Sequence, residues 1–140
     1  MTYDPQNIFA KILRGEMPAA NIYEDDETFA FMDIMPRGDG HCLVIPKVAT
    51  RNVLDASPQV LAVVAQTVQI IAIAAKKAFN ADGITIQQFN EPAGGQVVFH
   101  YHVHVIPRHN GVKMRPHTGE MASADELNAN AEKIIAALNA

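Results

Sequence analysis

Between Phe99 and Pro107 the chain reads Phe-His-Tyr-His-Val-His-Val-Ile-Pro, with histidines at 100, 102 and 104 alternating with apolar residues. A period of two is the mark of a strand, where successive side chains point to opposite faces. The three imidazoles are therefore expected on one face, with Tyr101, Val103 and Val105 packing into a core on the other. At about 3.3 Å per residue, neighbouring histidines in such a row lie roughly 6.6 Å apart and the outer pair roughly 13 Å. A strand loaded this way needs an apolar layer behind it and a chemically active space in front.

The rest of the chain can supply that layer. It has 140 residues, 49% of them hydrophobic and 19% charged, which fits a single domain over 1–140 and excludes a disordered chain. The formal charge is −4, and the 11 Lys and Arg are scattered without a basic run, so a nucleic-acid partner is not expected. Cys42 is the single cysteine, which excludes an internal disulfide and an all-cysteine zinc site. The first residues have neither a basic start nor an apolar stretch, so no signal peptide is read there and a reduced, cytoplasmic setting is expected.

No residue from Ala56 to Ala75 is charged, a length that raises the question of a membrane span. Gln59, Gln66, Gln69, Lys76 and Lys77 fall within one arc of roughly 100° on a helical projection. That polar stripe fits a helix buried on most of its circumference, with no membrane partner. The apolar remainder is wider than one sheet face usually covers, so a second subunit could cover the rest.

Turn residues divide the other elements. Asp4-Pro5 reads as a helix start, with Ile8, Phe9, Ile12 and Leu13 at helical spacing before Gly15. Strands are expected at 21–23, 28–33, 42–46, 83–90 and 96–107, and the long helix over 58–80. Ser123 and Glu126 match a capping box that opens a last helix. The pattern predicts an α+β domain with an antiparallel sheet of about five strands, one long helix and short terminal helices.

Three chemistries compete for the histidine row. Buried histidines with purely structural partners are one. A metal site using two neighbouring histidines, with His41 as a third ligand, is another. The third is nucleophilic and acid–base work, since a neutral imidazole attacks phosphorus without prior deprotonation and an imidazolium can protonate a leaving group. Gly94-Gly95, just before the row, could turn backbone N–H groups toward an anion.

His100-Tyr-His102-Val-His104-Val-Ile resembles the histidine triad motif. Three further stretches resemble the blocks of its Hint branch, in the same order: 7–18 (NIFAKILRGEMP), 30–34 (AFMDI) and 41–47 (HCLVIPK). The resemblance covers about 7–108 and leaves 109–140 as a C-terminal loop and helix. It implies the HIT-like fold, a homodimer, and a purine-nucleotide hydrolase of the adenosine 5′-phosphoramidase kind, without a cofactor. By it, His102 is the nucleophile that forms a nucleotidyl-histidine, His104 contacts the phosphate and aids the leaving group, and His100 positions the array. Asp33 would hold the ribose hydroxyls. Ile8, Phe9, Ile12, Phe31 and Ile34 would line the base pocket; Asn90 and Gln96 would reach the phosphate, beside Gly95 and Val97.

Two departures from the branch matter. Val97 stands where Hint-type enzymes usually carry Ser or Thr, so a hydroxyl near the phosphate is missing. Asn7 and Ala10 stand where some bacterial relatives carry a zinc-binding Cys pair. His41 and His100 would be half of such a site, and no structural zinc is expected. A diadenosine polyphosphate hydrolase and a nucleotide-binding interaction module with little turnover remain as alternatives. His109 and His117 read as solvated loop residues.

Overall fold

A computed structural model describes residues 2–116 and 119–140. Tight turns join the first strands, so they pair as neighbours: β1 (Asn21–Glu24), β2 (Thr28–Met32) and β3 (Cys42–Pro46). After the long helix α2 (Pro58–Ala78), β4 (Gly83–Gln87) takes an outer place. The last strand, β5 (Val103–Arg108), inserts between β3 and β4, giving the antiparallel order β1-β2-β3-β5-β4. The helices α1 (Ile8–Leu13) and α3 (Ala124–Leu138) complete the chain. This is the expected α+β architecture with five strands.

All residues of β2 and β3 are buried, because both sheet faces are covered. On one face Ala30, Met32, Cys42, Val44, Val103 and Val105 pack against α2 and α3 through Val64, Ile71, Leu127 and Ile134. Tyr101 joins that core, as the alternation predicted. On the other face Phe29, Phe31, Leu43 and Ile45 meet Phe9 of α1, with Ile8, Ile12 and Val98 around them. The triad histidines face this second, thinner layer, where His104 pairs with Leu43 on β3 and with Gln87 on β4.

Ser57 caps α2 by accepting from the Val60 N–H at 3.1 Å, and Pro58 occupies its first turn. By length and composition α2 could cross a membrane. Here it lays Val64, Thr67, Ile71, Ala74 and Ala75 on the sheet and α3. A buried bond of 2.7 Å between the Thr28 and Thr67 hydroxyls ties it to β2. The five residues of its polar stripe are all exposed, and so are Ile70 and Ile73.

Three boundaries differ from expectation. Asn7, not Asp4, caps α1, its Oδ1 accepting from the Ala10 N–H at 2.9 Å. Asp4 instead closes a turn, accepting from the Gln6 N–H on Oδ1 and from the Asn7 amide on its carbonyl. The strand expected over 83–90 ends at Gln87, and that expected from Gln96 begins only at Val103. The intervening chain bonds elsewhere, with the Tyr101 N–H donating to the Thr50 carbonyl at 2.8 Å. Only His104 of the triad therefore sits in the ladder.

Candidate active site

The second face of the sheet opens into a cavity of about 470 Å³. Its walls include Ile8, Phe9 and Ile12 from α1, Phe31 from β2, Asp33 and Ile34 beyond it, Gly95 and Val97 before the triad, and His102 and His104. Ten of the residues expected from the sequence are thus brought together. The lining is mostly apolar with a few convergent polar groups, the usual make-up of a small-molecule site. Val97 is largely exposed and presents an apolar surface where a hydroxyl was expected from the branch pattern.

The triad residues are held in three different ways. His100 is buried between the Tyr3 hydroxyl, 2.6 Å from Nδ1, and the Pro46 carbonyl, 2.8 Å from Nε2. Its side chain does not bond the other two rings; it is the His100 carbonyl that accepts from His102 Nδ1, at 2.6 Å. A carbonyl only accepts, so His102 carries its proton on Nδ1 and the lone pair of the neutral ring lies on Nε2. The His102 ring stands edge-on to Phe9 at 4.9 Å and to His104 at 5.1 Å between centroids.

Burial holds the pKa of His100 below its usual value, with the Pro46 bond opposing the shift. The native state therefore resists protonation that the unfolded chain accepts, and its stability rises with pH in that window. We expect this contribution to be complete above about pH 6.5 and to fade below it. Urea midpoints at pH 7 and pH 5 should fall less in His100→Gln than in the parent chain; equal falls would remove His100 from the account.

Two expected phosphate contacts are placed otherwise. Asn90 Oδ1 accepts from the Val53 N–H at 2.8 Å, and its amide pairs with Gln88. Gln96 is buried, accepting from Asn52 and the Glu91 N–H and donating to the carbonyls of Arg51 and Val98. Neither lines the cavity. Both amides brace the loop in which Glu91 adopts φ 64, a left-handed geometry costly for a residue with a side chain. Arg51 grips the Glu91 carboxylate at 2.7 and 2.9 Å and stacks on Phe99. The N–H groups of Gly94 and Gly95 likewise turn to the carbonyls of Glu91 and Pro92 rather than to an anion.

Sequence reasoning gave His41 no place in the nucleotide site, offering it only as a metal ligand beside the triad or as half a zinc site with His100. The structure pairs it with His104, Nε2 to Nδ1 at 2.9 Å, and sets Asp33 Oδ2 at 3.3 Å from its Nε2. Asp33 Oδ1 also takes the Met35 N–H, so the carboxylate both closes a turn and faces the histidines. A signal was present, because the β2–β3 pairing of Met32 with Cys42 puts residues 33 and 41 side by side at the hairpin end. His109 is half-buried, bonding the Phe79 carbonyl at 3.1 Å, and is not a solvated loop residue. His117 lies outside the described residues. Met121 also lines the cavity, with the next residue's N–H on the Ile34 carbonyl, so the C-terminal segment flanks the site.

Comparison with known proteins places these features together. A model of the HIT domain matches residues 14–111. Adenylylsulfatase HINT3 of Arabidopsis thaliana is 40% identical over 101 residues, 72% of this chain but 51% of that protein, so the chain spans about half its length. The crystal structure of a HIT-like protein involved in cell-cycle regulation from Bartonella henselae superposes with a TM-score of 0.92 at 51% identity, covering 97% of this chain and 99% of that one. A hypothetical histidine triad nucleotide-binding protein from Sulfolobus tokodaii gives 0.86 at 30% identity, covering 94% and 91%.

Proposed function

Because this chain belongs to the HIT family of nucleotide-binding hydrolases, we propose that it cleaves the bond at the α-phosphorus of purine nucleoside phosphoramidates by way of a nucleotidyl-His102. The observation that carries this reading is the His102 Nδ1 bond to the His100 carbonyl. It leaves the nucleophilic lone pair on Nε2 of a ring in the cavity wall. Phe9, Phe31, Ile8 and Ile12 offer an apolar slot for the base, and Asp33 offers acceptors for two ribose hydroxyls.

In this reaction His102 Nε2 bonds to phosphorus as the P–N bond breaks, the amine departs with a proton from the His104 imidazole, and water then displaces the histidine and returns that proton. A hydrogen-bond donor on His104 stabilises charge on the phosphoryl oxygens. The 40% identical adenylylsulfatase favours a second leaving group, an acid anion in place of the amine, on the same intermediate. The test is release of amine from an adenosine phosphoramidate, with and without a chelator. Turnover that the chelator leaves unchanged is expected; turnover that disappears with it would assign the chemistry to a metal.

Two further features belong to this proposal. Exposed Ile70 and Ile73 on α2, with exposed Leu54 before it, suit cover by a second copy of the chain. Sedimentation at micromolar concentration should show a dimer, and a monomer-sized particle would remove that part. A reduced, cytoplasmic setting suits Cys42, a buried free thiol whose proton is held by burial.

A further inference from the structure

A 5′-nucleotide has a fixed order, phosphate then ribose then base, so placing the first two groups in a cavity leaves one direction for the third. In the proposed reaction the phosphate lies at His102 and the ribose at Asp33. The base then extends past Asp33, toward the end of β2 where Ile34 follows. Two backbone bonds bring distant parts of the chain to that end. The Met32 N–H donates to the Ala20 carbonyl at 3.0 Å, which draws Met17, Pro18 and Ala19 into the wall. The Ala122 N–H donates to the Ile34 carbonyl at 2.9 Å, which sets Met121 beside Ile34.

Three apolar residues of this end line the cavity and are still open to water: Met17 at 39%, Ile34 at 41% and Met121 at 68% exposure. Apolar surface left bare in a cavity wall is surface that a ligand covers. The residue type points the same way. Met17, Met32, Met35 and Met121, four of the six methionines in the chain, line this one cavity. An unbranched, polarisable thioether side chain fits itself to an aromatic face. Met121 is also held from both sides of its position. The Ile34 bond fixes the next residue, and Ser123 caps α3 by accepting from the Glu126 N–H at 3.1 Å, with Leu127 buried in the core.

We infer that Met121 is a base-binding residue that closes over the face of the purine ring. The inference rests on the purine-nucleotide reading and adds to it a residue outside the 14–111 stretch that the HIT domain matches. A thioether against a base is the same contact in the substrate and in the transition state. Its loss therefore raises KM and leaves kcat alone.

Two measurements test this. NMR of the Met121 ε-methyl group, assigned by its loss in Met121→Leu, reads the contact without turnover. AMP should move that methyl upfield through the ring current of the base, and ribose 5-phosphate should not. In equilibrium binding we expect Met121→Ala to weaken AMP about tenfold and ribose 5-phosphate by less than about twofold, with Met121→Leu restoring AMP to within about threefold of the parent. An AMP complex that shifts the His102 ring signals and not the Met121 methyl overturns the inference and leaves the hydrolase reading intact. So does equal weakening of AMP and ribose 5-phosphate in Met121→Ala. A Met121 methyl that moves with protein concentration and not with AMP overturns it too, by assigning the surface to a second copy of the chain. A parent chain that binds neither AMP nor ribose 5-phosphate instead overturns the nucleotide reading, and the inference with it.

Discussion

Replacing His102 by alanine should lower turnover at least about 10³-fold while leaving AMP affinity within a few-fold. The asymmetry follows from where the ring stands. His102 touches Phe9 and His104 at the floor of the cavity, and its Nδ1 is tied back to the His100 carbonyl. Removing it deletes the nitrogen proposed to attack phosphorus but leaves the apolar slot of Ile8, Ile12 and Phe31 and the Asp33 carboxylate in place. Steady-state kinetics beside equilibrium binding of AMP separates the two effects. If His104→Ala lost turnover while His102→Ala stayed active, the two roles would be exchanged.

The second large effect is expected on stability, from Gly40→Ala. Gly40 has φ +85, and a Cβ placed on it would lie 2.5 Å from Cε2 of Phe79, the residue that closes α2. The substitution combines backbone strain with a clash against an aromatic ring packed on the core. We expect a loss of about 2–4 kcal/mol, lowering Tm by roughly 10 °C in a chain of this size. Gly94→Ala is the control, because nothing lies within 4 Å of its added Cβ. A Gly40→Ala melting curve that overlays the parent's would contradict the packing described. Gly40 also precedes His41, so the same variant should disturb the His41–His104 bond.

Much of this molecule was legible in the order of its residues. The alternation through Tyr101, Val103 and Val105 did place those side chains in the core, and the polar arc of Gln59, Gln66, Gln69, Lys76 and Lys77 does face solvent. Local pattern failed where a long-range bond competed with it. The run from Gln96 to His102 has strand-forming residues, but Gln96 and Tyr101 bond back to the segment around Thr50 and Arg51, which keeps the run out of the ladder. Asn90 and Gln96 looked like phosphate contacts because amides beside a glycine pair suit an anion. Their real work, bracing Glu91 at positive φ, depends on Arg51 and Asn52, some 40 residues earlier in the chain. His41 escaped notice as a partner of His104 for the same kind of reason. The link crosses from the end of β3 to β5, and only the assembled sheet brings the rings together.

The central claim is a covalent bond between His102 and phosphorus, and the stereochemical course at that phosphorus tests it most directly. Two in-line displacements, first by His102 and then by water, return the original configuration. A substrate made chiral at phosphorus with one oxygen isotope, hydrolysed in water carrying another, should therefore give product with retention. Inversion would mean that water attacks in one step, and His102 would then be no more than a base or a binding contact.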